Sequence, residues 1–120
     1  MKWLAVFLLG GLGALCRVAF SGLFPVRALP WATLTVNLVG CLAIGVLFVV
    51  VEEHRGLPTP WRMALVGGFL GGFTTFSAFG LETWELVQEG RALAAAFYAG
   101  SSVLLGGLGV AVGVAVARAA

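Results

Sequence analysis

Four long apolar runs dominate this chain, at residues 3–20, 33–51, 63–79 and 92–116, and they leave little sequence for anything else. A helix that crosses the hydrocarbon core needs about 20 residues, within a range of roughly 17–25, and each run meets that requirement. In lipid, every backbone N–H and C=O must be paired inside the protein, so only helices or a closed barrel can span. The apolar residues are continuous rather than alternating, which predicts helices. The expected fold is an all-α membrane protein with four transmembrane helices, forming one domain over residues 1–120.

Composition excludes the soluble alternative. Hydrophobic residues make up 61% of the chain and charged residues 10%, whereas a soluble domain carries about a quarter charged residues to cover its surface. Prolines 25 and 30 bracket the first connector. The second, residues 52–62, holds most of the charge together with Pro58 and Pro60, and the third holds Glu85, Gln88, Glu89, Gly90 and Arg91. Tryptophan favours the membrane–water interface; Trp3, Trp31 and Trp61 mark three helix starts, and Trp84 falls just past the expected end of the third helix. Lys2 followed by residues 3–15 imitates a signal peptide, but Leu15, Cys16 and Arg17 interrupt the cleavage position, so the segment is expected to remain as the first helix.

With four spans, both termini and the second connector share one side. Lys2, Arg55, Arg62 and Arg118 lie there, against Arg27 and Arg91, with Arg17, on the other. This positive-inside signal is weak. It suits either insertion in both orientations or one topology poorly reported by few charges. A net charge of +2 without a basic stripe gives no reason to expect nucleic acid as a partner. Cys16 and Cys41 lie inside apolar runs and read as small buried hydrophobes, and His54 reads as a solvated loop residue. Four helices of this size enclose little interior, so a buried pathway requires a second copy of the chain.

The third run is the unusual one. Residues 67–79 contain Gly67/Gly71 and Gly68/Gly72, each a small-xxx-small pair, followed by Thr74, Thr75 and Ser77 among three phenylalanines. Helix packing accounts for the glycines but not for the hydroxyls. Glycine and threonine both weaken a helix, and a local unwinding would expose carbonyl oxygens, tolerable only where they line a cavity or bind an ion. A broken third helix is therefore expected. Phe76 and Phe79 share a helical face, as lipid-facing or core aromatics or as ring edges, positively polarised, that substitute for part of an anion's hydration. Asn37 in the second run is either an interhelical hydrogen bond or a pore-lining donor. Tyr98, Ser101 and Ser102 give the fourth helix a polar face. Neutral donors beside aromatic edges suit an anion better than a cation.

Gly71-Gly72-Phe73-Thr74-Thr75-Phe76-Ser77-Ala78-Phe79, followed by Glu82, resembles the signature of the CrcB/Fluc fluoride channels. Gly10-Gly11-x-Gly13-Ala14-x-x-Arg17 and Thr33-Leu34-x-Val36-Asn37-x-x-Gly40 are similar to that family's first and second helices, so the resemblance covers nearly the whole chain. It implies a passive, fluoride-specific channel with no enzymatic activity, in a prokaryotic cell membrane, exporting fluoride that entered as HF and ionised in the cytoplasm. It further implies an antiparallel, dual-topology homodimer with two pathways and a structural sodium ion at its centre. By the same resemblance, sodium falls to the backbone carbonyls of Gly71 and Thr74, and the fluoride pathway to Phe76, Phe79, Asn37, Ser77, Tyr98 and Ser102. Arg17 matches a vestibule or structural charge. Glu82 either ends the polar track or marks the interface. Ala78 and Gly106 depart from the family's usual hydroxyl residues, removing two groups from that track.

Two other readings compete. A proton-coupled exporter of the small multidrug-resistance type needs a membrane-embedded carboxylate, and the first helix offers Arg17 but no Asp or Glu. A membrane assembly subunit needs only glycine packing faces, which leaves Asn37 and Thr74-Thr75-Phe76 without a purpose.

Overall fold

The computed structural model describes every residue except Arg27 and Arg55, so those two members of the charge balance lie outside the described residues. The described residues form helices and no strands. Helix α1 spans Lys2–Ser21, and α2 spans Trp31–Phe48 and continues as a π-helical segment, Val49–Glu53. Next come α3 (Thr59–Arg62), a second π-helical segment (Met63–Leu70), α4 (Gly71–Phe73), α5 (Phe76–Gln88) and α6 (Ala92–Ala119). Four stretches are long and apolar enough to cross a membrane: Lys2–Ser21, Trp31–Glu53, Thr59–Gln88 and Ala92–Ala119, with mean hydropathies of 1.9, 2.6, 1.5 and 1.9.

The third stretch is longer than its apolar run. The expected span ended at residue 79, yet α5 continues to Gln88. Trp84 therefore lies inside the helix rather than past its end, and Glu85 and Gln88 stand on its last turns rather than in the connector. Gly80, Glu82, Thr83 and Glu85 dilute the hydropathy there without stopping a helix, because hydropathy and helix propensity are separate properties. The actual stop is Gly90, whose φ of 74° is a conformation glycine adopts without steric penalty. Gly90 N–H bonds the Val87 carbonyl at 3.0 Å and Arg91 N–H the Leu86 carbonyl at 2.9 Å, the paired bonds of a Schellman turn. This cap feeds the chain directly into α6.

The 28 residues of α6 measure about 42 Å at the helical rise, more than the roughly 30 Å of hydrocarbon core. At its far end Arg118 is bonded to Glu53 at the end of the second stretch. Arg62 pairs with Glu52 close by in sequence. The carboxylates of the second connector are thus matched by cations on the third and fourth stretches.

Lipid supplies no hydrophobic drive between helices, so close backbone packing must hold them together. Glycine provides it at two seams. A Cβ on Gly13 would strike the Phe69 carbonyl, and one on Gly72 the Gly10 carbonyl, so α1 lies directly against the third stretch. At the other seam a Cβ on Gly45 would strike the Val110 carbonyl, and one on Gly113 the Leu42 carbonyl, joining α2 to α6. The paired glycine faces divide accordingly. Gly68 and Gly72 pack on α1, whereas Gly67 has no atom within 4 Å of a built Cβ and Gly71 only the Val66 carbonyl at 3.8 Å.

Because backbone cannot yield at the α2–α6 seam, Gly45→Ala is expected to lower stability by about 1–3 kcal/mol through overpacking. Gly11→Ala, at an exposed position with open space beside it, is expected to be neutral or stabilising, since alanine favours a helix by up to about 1 kcal/mol over glycine. Thermal denaturation of the two purified variants in detergent separates these outcomes.

Candidate functional site

The seams bring the glycine–threonine stretch of the third crossing against α2. Helix α4 ends at Phe73, and Thr74 (φ −83°, ψ 158°) and Thr75 (φ −148°, ψ 117°) are extended before α5 begins at Phe76. Asn37 on α2 meets this dipeptide with both ends of its amide. Its Oδ1 accepts from Thr75 N–H at 2.8 Å and its Nδ2 donates to the Thr75 carbonyl at 3.0 Å. Of the two possibilities open for Asn37, the interhelical bond is the one formed within the chain. Thr75 also caps α5, its Oγ1 accepting from Ala78 N–H at 3.3 Å, the usual service of a threonine at a helix start.

These bonds have a consequence for the carbonyls upstream. A continuous helix would send Thr75 N–H to the Gly71 oxygen and Ala78 N–H to the Thr74 oxygen. Both donors are diverted, one to Asn37 and one to the Thr75 hydroxyl, which leaves the Gly71 and Thr74 carbonyls without their helical partners. Their neighbours are provided for. The Leu70 oxygen accepts Thr74 N–H and Thr74 Oγ1–H, each at 2.9 Å. The Gly72 oxygen accepts Arg17 Nε–H at 3.1 Å, so the arginine of α1 is paired with backbone at the end of α4. An open groove of about 370 Å³ passes Asn37, Gly40, Gly71, Thr74 and Phe76.

On the α5 side, three rings line up. The Phe76 and Phe79 centroids lie 5.5 Å apart and those of Phe79 and Tyr98 5.4 Å apart, tilted by 43° and 46°. The row runs from the surface inward, with Phe76 82% exposed and Tyr98 2%. Tyr98 is packed in a cluster with Leu34, Leu86 and Ala95, and its hydroxyl donates to Glu82 Oε2 at 2.7 Å. Thr33 Oγ1 donates to the other oxygen, Glu82 Oε1, at 2.6 Å. Hydroxyl–carboxylate bonds this short are the strong, charge-assisted kind. Glu82 also lines a second pocket of about 400 Å³, with Glu85, Glu89 and Arg91 near its rim.

Asn37, Gly71 and Thr74 therefore share the groove with Phe76, while Phe79, Tyr98 and Glu82 continue the line inward. Arg17 stands apart, on the Gly72 side. Ser77 is exposed beside Phe76, and Ser102 donates to the Tyr98 carbonyl of its own helix at 2.7 Å. Two participants lay beyond the sequence reading, Thr33 as a partner of Glu82 and Thr75 as both cap and clasp for Asn37. The Thr33 bond and the Asn37 clasp depend on which helices meet, which spacing within one helix does not reveal. Among the described residues no group of three or more His, Cys, Asp or Glu could hold a metal, and both cysteines are free.

Comparison with known proteins bears on this arrangement. The family model described as "CrcB-like protein, Camphor Resistance (CrcB)" matches residues 4–114. A protein of Acidobacterium capsulatum named fluoride-specific ion channel FluC is 41% identical over 119 residues, covering 97% of this chain and 95% of its own length. Fluoride-specific ion channel FluC 2 of Nocardia farcinica is 46% identical over 121 residues, covering 96% and 84%. A protein of Rhizobium leguminosarum bv. trifolii, also named fluoride-specific ion channel FluC, is 42% identical over 114 residues, covering 92% and 90%. Similarity to proteins of that name and four apolar helices make this a multi-pass membrane protein. The chain belongs to the CrcB family, whose curated members similar to it carry the name fluoride-specific ion channel FluC.

Proposed function

We propose that this protein is a fluoride-specific channel of the cell membrane that lets fluoride leave the cytoplasm passively. The observation that carries this reading is the row of tilted rings, Phe76, Phe79 and Tyr98, whose first member lines the groove that holds Asn37. Aromatic edges are positively polarised, and the Asn37 amide keeps a second N–H beyond the one bonded to the Thr75 carbonyl, so a small anion can exchange part of its hydration for weak neutral contacts. No fixed cation sits in that row to trap the ion, and conduction requires binding weak enough to release. Ser77 adds a hydroxyl beside Phe76, and the Ser102 hydroxyl is held by the Tyr98 carbonyl of its own helix. Arg17 contributes positive potential from the far side of the extended dipeptide.

The third crossing is read as a broken helix whose ends serve a second purpose. Unwound backbone carbonyls and half-helix C-termini are suitable ligands for sodium. Gly71 and Thr74 present carbonyls deprived of their helical donors, and the chemistry of this neutral oxygen set fits a hard monovalent cation. One chain supplies two such oxygens, too few to enclose the ion. A second copy packed across the open Gly67/Gly71 face would bring two more, which supports a homodimer centred on the cation. The weak charge bias between the two ends permits insertion in both orientations, which antiparallel packing of one four-helix unit per chain requires. Sodium would act there as a structural tie between subunits and not as cargo.

Gly67→Leu tests the dimer. A Cβ on Gly67 would meet nothing within 4 Å in its own chain, so the variant should fold yet run as a monomer in size-exclusion chromatography with light scattering; an intact dimer would place the partner elsewhere. The function is tested in cells. Expression in a bacterium deprived of its own fluoride exporter should restore growth on fluoride, and membrane-inserted protein that gives no protection would count against export.

A further inference from the structure

The extended dipeptide has a seat on α2 with two contact points. Asn37 holds the Thr75 backbone through two hydrogen bonds. One turn further along the same face, a Cβ on Gly40 would occupy the place of Thr74 Cγ2 and lie 3.7 Å from Thr74 Cβ and 3.9 Å from Phe73 Cδ1. Gly40 is buried, and the bare backbone there admits the threonine methyl. That methyl cannot simply turn away. Thr74 Oγ1 is bonded to the Leu70 carbonyl at 2.9 Å, and a β-branched side chain has few χ1 positions to exchange. Any side chain at position 40 must therefore push Thr74 as a whole, its carbonyl included.

We infer that Gly40 is a positioning residue for the Thr74 carbonyl, setting the affinity of the dipeptide for sodium through the space it leaves for the Thr74 methyl. The inference rests on the proposed reading of Gly71 and Thr74 as cation ligands, and its experiment separates the two. Purified protein is heated across a sodium series with potassium holding the ionic strength constant, and the half-saturating sodium is read from the rise in melting temperature. Gly40→Ala is expected to raise that concentration about tenfold or more, the usual scale for disturbing a residue that supports metal ligands. Gly40→Ala with Thr74→Ser is expected to return it to the wild-type value, since serine keeps the hydroxyl for Leu70 and lacks the methyl.

An unchanged sodium titration for Gly40→Ala, or a double variant no better than the single one, would overturn the inference. If Gly40→Ala does not yield folded protein, the double variant decides alone: a wild-type titration supports the seat, and a weakened or unfolded one overturns it. Wild-type protein that melts without regard to sodium would remove the cation reading itself and this inference with it. Fluoride efflux measured on the same preparations reports independently whether the channel reading stands.

Discussion

Asn37→Ala should be among the most damaging single substitutions in the chain. The amide engages both backbone polar groups of Thr75, and its loss strands the N–H in a part-buried setting, while the carbonyl keeps the first helical bond of α5 as its N-cap. An unsatisfied buried group costs about 1–3 kcal/mol, and the variant should lose stability on that scale. The variant should melt well below wild type, and amides of residues 70–80 should exchange with deuterium faster while those of the α2–α6 seam stay protected. Asn37→Asp keeps an acceptor for Thr75 N–H but loses the donor to its carbonyl, so it should fall between. Wild-type stability and protection in Asn37→Ala would show that the clasp is incidental.

The second large effect should appear in transport rather than stability. Phe79→Ile removes the middle ring of the row and leaves an aliphatic side chain of similar bulk, so the elution volume in size-exclusion chromatography should match that of wild type. Aromatic contacts contribute about 0.5–1.5 kcal/mol beyond burial. A factor of ten corresponds to about 1.4 kcal/mol, so fluoride flux should fall by up to about tenfold. Phe76→Ile should do less in an isolated chain's geometry, because only Phe79 has a ring on each side. Flux unchanged in both variants would make the two rings packing elements alone.

The large features of this fold are written in composition. Continuous, non-alternating apolar runs produced four helices because lipid permits only helices or a closed barrel and a barrel needs alternation, and the extended dipeptide fell within the glycine–threonine stretch that hydropathy alone could not explain. The glycine seams were only half legible. Spacing gave two equivalent faces on the third crossing, but which one meets α1 depends on how the helix is rotated. That rotation is set in part by the π-helical turns of Met63–Leu70, for which no residue in the segment gives a local signal. The end of α5 was missed because its apolar character fades ten residues before its cap. Glu82 could be singled out as a membrane carboxylate, but its two hydroxyl partners come from α2 and α6 and are brought together only by packing. The Thr75 cap was hidden for another reason: a threonine flanked by glycines and phenylalanines resembles a packing residue until the chain is seen to leave the helix.

The channel reading is tested most directly by ion efflux from proteoliposomes containing the purified protein, loaded in parallel with fluoride or chloride and opened to a counter-ion carrier in the presence of sodium. Rapid fluoride loss with chloride retained is the expected result. No fluoride efflux above that of empty vesicles, or chloride leaving at a comparable rate, would contradict a fluoride-specific pathway along Phe76, Phe79 and Tyr98.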